Sequence, residues 1–238
     1  MLAVASMLLA ATLSGCSAAN TAFDGPAPQH SGPPVTYVAV LGAQPADTSD
    51  PRLTWSVVFS RSALPGWTTA YDLTVPADWE LDGTALLQQV LDLHPTVVSV
   101  SLGLQDALSG VPAPTFSAAL TQLLDALRTA RVPTVLIANV LPLPGPQPQG
   151  AGFGGVISSY NQSIASDAAA SGSVLVDVHS AFDRALARGQ AVMAGGNSLT
   201  PLGESLMAGT FAAAARHRPL WRTTKPSRPD PPAGPSEG

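Results

Sequence analysis

Cysteine, lysine and other charged side chains are scarce in this chain, and each scarcity excludes something. Cys16 is the single cysteine among 238 residues, so no intramolecular disulfide can brace the fold and stability must come from packing. Lys225 is the single lysine, only 11% of residues are charged, and the formal net charge is −5. Without a basic face or interleaved aromatic and basic residues to follow a phosphate backbone, nucleic acid is not expected as a partner. No His/Cys cluster has the spacing of metal ligands. The glycine-rich segment 150–155 (GAGFGG) lacks the lysine of a phosphate-binding loop and follows a Pro-rich stretch. No cofactor is therefore expected, and GAGFGG reads as a loop ahead of a helix.

What the chain has in quantity is apolar residues, 45% of the total, enough to bury a full core in one domain flanked by tails. Near the amino end, 7–13 (MLLAATL) is too short to cross a hydrocarbon layer of roughly 30 Å and reads as the apolar region of a signal peptide. It runs into Leu13-Ser14-Gly15-Cys16, which resembles the bacterial lipobox. That resemblance implies lipidation of Cys16 and a membrane anchor on the extracytoplasmic face. Residues 17–34 and 218–238 are rich in Pro, Gly, Ser and Thr without apolar periodicity, as in flexible segments. The expected organisation is a signal peptide over 1–15, a tether over 16–34, a folded monomeric domain over 35–217 and a Pro-rich tail over 218–238.

Within the folded part, short apolar runs at 35–41 (VTYVAVL), 69–75, 97–102 (VVSVSL), 134–139 and 174–178 (VLVDV) alternate with segments of helical period. Such alternation predicts βαβ units and a doubly wound, three-layer α/β domain around a five-stranded parallel sheet. Helices are predicted over 81–93, 116–130, 156–170 and 201–215, with a shorter one over 52–61. Thr200 and Pro201 supply an N-cap and a first-turn proline for the last of these. Ligands of such sheets bind beyond the carboxyl ends of the strands. The loops at 42–49, 76–81, 103–109, 140–155 and 195–200 are therefore where a site is sought.

The strand at 97–102 leads into Gly103-Leu104-Gln105-Asp106, which resembles the Gly-x-Asn-Asp turn of the SGNH/GDSL hydrolases, with Gln105 in place of Asn. The resemblance implies their flavodoxin-like fold. It also implies an ester-cleaving site built from a serine after the first strand, an Asp-x-x-His-Pro segment before the last helix, and oxyanion donors in between. Aligned on that pattern, Leu41-Gly42-Ala43-Gln44 places Ala43 and Gln44 at the Asp and Ser positions of Gly-Asp-Ser. Val75-Pro76-Ala77 places Ala77 at the expected glycine. Asn197-Ser198-Leu199-Thr200-Pro201 places Asn197 and Thr200 at the acid and the base. Neither an amide nor a threonine hydroxyl titrates near neutrality. The candidate cleft is thus Gly42, Ala43, Gln44, Ala77, Gly103, Gln105 and Asp106, with Gln44, Gln105, Asn197 and Thr200 as degenerate catalytic positions.

Of the four histidines, His30 lies in the tether, His94 and His217 lie at the opposite rim, and His179 alone follows the carboxyl end of a predicted strand. Alternation along that strand would put Asp177 and His179 on one face. Two functions follow. In the first, the domain is a pseudoenzyme on a lipoprotein, binding an acylated or glycan ligand of the cell envelope. In the second, it is an esterase with relocated groups, His179 acting with Ser49 or Ser101.

Overall fold

A computed structural model describes residues 34–42, 50–66, 68–75, 79–144, 152–194 and 198–216, with side chains from residue 86 onward in the helix that begins at 79. Strand β1 (Val35–Leu41) is followed by a short 3-10 turn, Pro51–Leu53, and helix α1 (Trp55–Ala63). Then come β2 (Thr68–Thr74), α2 (Trp79–Asp92), β3 (Val97–Ser101), α3 (Leu104–Leu108) and α4 (Ala113–Thr129). The carboxyl-terminal half is β4 (Thr134–Ala138), α5 (Phe153–Ser171), β5 (Val174–Val176), α6 (Val178–Ala187) and α7 (Pro201–Arg216). The five strands form one parallel sheet in the order β2-β1-β3-β4-β5. Chain order reverses on either side of β1, which puts the crevice of the sheet beside the carboxyl ends of β1 and β3.

Period-two alternation sorts the strand side chains into two cores. Val38, Val40, Val98, Val100 and Ile137 pack under α2, α4 and α5 with Phe116, Leu120, Leu124 and Tyr160. Tyr37, Ala39, Leu136, Ala138 and Val176 face the other way, against Trp55, Phe59, Phe182, Met207 and Phe211 of α1, α6 and α7. With both faces covered, the strands read as nearly continuous apolar runs, as buried parallel strands do. Buried Ser99 meets the Tyr37 hydroxyl at 2.7 Å. That bond satisfies the polar atoms of both, and burial pushes the phenol well above its usual range.

Three local expectations are corrected. The run VLVDV is strand only to Val176; the Asp177 side chain accepts the Ser180 N–H at 3.1 Å and starts α6. An N-capping aspartate outweighed the apolar alternation that extended the strand to 178. The segment 103–109, expected as a loop, contains the one-turn helix α3. The GAGFGG segment is not all loop, because α5 begins at Phe153, three residues before the expected start. Buried Phe153 anchors that first turn, and Gly154 and Gly155 lie on its exposed side.

Candidate functional site

The carboxyl ends of β1, β3 and β4 meet in a narrow cleft. Gly42 leaves β1 with its N–H still bonded to the Ser101 carbonyl at 2.8 Å. Beside it stand Leu102, Leu104 and Gln105 from the β3 exit, and Asn139, Val140 and Leu141 from the β4 exit. The enclosed space is about 10 Å³, room for roughly one water.

Gly103 makes the turn after β3 possible. Its φ of +99° lies in the left-handed region, and a β-carbon there would come within 2.9 Å of the Phe116 ring and 3.1 Å of Val140. Only glycine satisfies both conditions. Leu104, Asp106 and Ala107 are buried behind the turn, and the Asp106 carbonyl accepts the Val111 N–H at 3.0 Å. Half-buried Gln105 faces the cleft, yet its Nε2 lies 3.4 Å from the Ser109 hydroxyl one turn along.

Thr200 does not point a free hydroxyl into this space. Its Oγ1 donates to the Ala191 carbonyl at 2.6 Å and accepts the Gly203 N–H at 3.1 Å. It is the N-cap of α7, as its place before Pro201 suggested. Of the other expected site residues, Ala43, Gln44, Ala77 and Asn197 lie outside the described residues, as do Cys16 and Ser49.

A polar clasp that sequence reading missed fixes the far wall of the cleft. Asn139 Nδ2 donates to Asp177 Oδ1 at 2.8 Å, and its Oδ1 accepts the His179 N–H at 2.8 Å. Asn161, from α5, accepts the Val140 N–H at 2.6 Å and donates to the Val140 carbonyl at 3.2 Å. His179 Nδ1 lies 2.8 Å from the same carbonyl and 3.1 Å from Asn161 Nδ2. Its Nε2 stands 3.4 Å from Asp183, one turn along α6.

The expected Asp177–His179 pair on one strand face is therefore corrected: Asp177 caps the helix and His179 belongs to it. Burial alone would raise the Asp177 carboxyl, but bonds from Ser180 and Asn139 and the nearby His179 hold it below its usual value. The sequence signal for this clasp was an Asn directly after one strand and Asp-x-His directly after the next. Among the described residues no three His, Cys, Asp or Glu side chains gather as a metal site.

A wider groove of about 610 Å³ lies beside α3, between the 110–114 segment and the first turns of α5. Val111, Pro112, Phe153 and Val156 make its walls apolar, and Ser159, Gln162 and Ser163 supply a polar margin.

A five-stranded parallel sheet in this order, with a glycine turn delivered beside the first strand, matches the α/β fold of the SGNH/GDSL hydrolases. The model of the GDSL-like lipase/acylhydrolase family matches residues 20–204, and the chain belongs to that family. No curated protein matches it in sequence. Among solved structures it is similar to a protein described as a GDSL-like lipase from Parabacteroides merdae, with a TM-score of 0.64 and 14% identity over 76% of this chain and 95% of that one. It is also similar to LAE5, an α/β hydrolase from the Lake Arreo metagenome, with a TM-score of 0.64 and 18% identity over 76% and 94%. A third likeness is to the acetylxylan esterase Axe2 of Geobacillus stearothermophilus, with a TM-score of 0.62 and 14% identity over 75% and 93%. Two solved forms of Axe2 are catalytic mutants, one replacing a serine and the other an aspartate with alanine. At these identities the likeness establishes the fold alone.

Proposed function

We propose that this protein is a lipoprotein, anchored in the membrane through Cys16, whose GDSL-type domain binds an acylated or glycan ligand of the cell envelope without cutting an ester. The observation that carries this reading is the chemistry at the catalytic positions. Thr200, at the place of the base, spends its hydroxyl on capping α7. Gln44 and Asn197 stand where the family pattern has its nucleophile and acid. Replacing a serine or an aspartate is what makes the two Axe2 forms catalytic mutants. In a serine hydrolase, loss of the nucleophile or base alone lowers turnover on the order of a millionfold. The groove beside α3 offers apolar walls to an acyl chain and a polar margin to its attached group.

The alternative, an esterase with His179 as relocated base, requires Nδ1 to leave the Val140 carbonyl or Nε2 to turn from Asp183. A general base must reach its proton directly or through one water, and here Nδ1 faces Val140 and Asn161 while Nε2 faces Asp183.

Hydrolysis of a short-chain p-nitrophenyl ester by the purified protein tests the catalytic part. The expected rate is that of buffer; turnover that disappears in Gln44→Ala or Thr200→Ala would overturn the reading. Cell fractionation tests the anchor: Cys16→Ser is expected to release the protein from the membrane fraction, and unchanged membrane recovery refutes lipidation there.

A further inference from the structure

Helix α1 lacks the usual cap at its amino end. Thr54 occupies the N-cap position but its side chain makes no capping bond to the helix; its hydroxyl turns back to the Pro51 carbonyl at 3.0 Å. The missing acceptor comes from another helix. Glu204 Oε2, in the first turn of α7, accepts the Trp55 N–H at 2.7 Å across 149 residues of chain.

Glu204 is 3% exposed, and this is its carboxyl's single hydrogen bond among the described residues. Around it the seam is tightly fitted. The Trp55 ring stacks on Phe211 with centroids 4.4 Å apart, and Phe59 adds a tilted contact with Phe211 at 5.9 Å. A β-carbon at Gly203 would run into the Val192 carbonyl.

We propose that Glu204 is a proton-operated latch across the α1–α7 seam, holding the two helices together while its carboxyl is neutral and loosening them when it ionises. A neutral carboxyl fits this place: its carbonyl oxygen caps α1, and no charge is left in the core. An ionised one sets a charge among Trp55, Phe211 and Met207 with one N–H to stabilise it, and a buried charge without sufficient partners is strongly disfavoured.

Among the described residues no ion pair competes for it. Asp50 and Arg52, at the 3-10 turn, hold each other at 3.0 Å. Asp72 of β2 accepts the Ser56 hydroxyl at 2.8 Å, Tyr37 of β1 is bonded to Ser99, and Arg61 and Arg216 lie in the last turns of their helices. Burial, opposed by the Trp55 amide, pushes the Glu204 carboxyl up to about 7, so the latch would work near neutrality.

The test is hydrogen exchange of the Trp55 amide in the full chain from pH 5.5 to 8.5, corrected for intrinsic base catalysis. Protection is expected to fall by about tenfold or more across this range, since the opening equilibrium follows ionisation of the buried group. Glu204→Gln, which keeps an accepting oxygen without a titrating proton, is expected to abolish the pH dependence. Asp72, whose carboxyl burial also raises, is the competing titration, and Asp72→Asn is expected to leave the transition in place. A flat wild-type profile, the same transition in Glu204→Gln, or its loss in Asp72→Asn would each overturn the latch. If Glu204→Gln does not fold, the wild-type and Asp72→Asn profiles still decide the matter.

Discussion

Gly103 is where single-residue chemistry bears most directly on the cleft. Its positive φ and the closeness of Phe116 and Val140 leave no room for a β-carbon, so Gly103→Ala is expected to lower stability by about 1–3 kcal/mol. A urea unfolding midpoint reads this, and an unchanged midpoint would show that the turn relaxes freely. The need for glycine was foreseeable from the Gly-x-Gln-Asp pattern after an apolar strand. The aim of the Gln105 amide was not, because a side chain with three rotatable bonds takes its direction from neighbours, here the Ser109 hydroxyl. Likewise Thr200 was read correctly as a cap, but its second bond, to the Ala191 carbonyl, depends on a chain reversal invisible in local sequence.

At the scale of elements, the β5–α6 junction is the informative failure. Apolar alternation in VLVDV carried the predicted strand through Val178, while the fold ends it at Val176 and uses Asp177 as a cap. The same carboxylate then receives Asn139 from the neighbouring strand, so one side chain closes a helix and joins two strand exits. Folding lowers its pKa. Asp177 contributes stability above the ordinary aspartate value of 3.8 and loses that contribution as pH falls below it. Asp177→Asn keeps a capping oxygen and removes the titration. The acid limb of the stability curve, followed by urea midpoints from pH 6 downward, is expected to become shallower in this variant. An unaltered limb would show that the clasp does not depend on the charge. Because Asp177 is exposed, the effect is modest.

Across the whole molecule, both faces of the sheet are covered, and the Glu204 carboxyl is trapped between two of the covering helices. Folding raises the Glu204 carboxyl from the usual 4.5 to about 7. Below the lower value the group is protonated in both states and nothing is lost. Between the two, the unfolded chain ionises while the folded one does not, so stability declines as pH rises and then levels off. The total decline is about 3 kcal/mol. Glu204→Gln is expected to remove this slope, measured as the free energy of unfolding from pH 4 to 8, and a slope equal to wild type would contradict the assignment.

Alternating apolar runs and helical faces were enough to dictate a doubly wound parallel sheet, since strands buried on both faces admit few polar residues and their crossover helices need one apolar side. The glycine at the β3 exit was equally plain. Side chains far apart in the chain meet only after the sheet and helices have packed, and local periodicity carries no trace of those meetings. The Asn139–Asp177–His179–Asn161 clasp, the cleft that Gly42 and Gln105 both line and the burial of Glu204 against Trp55 all belong to that second kind. In each, burial sets the consequence, because a polar group removed from water depends on the partner that tertiary structure brings to it.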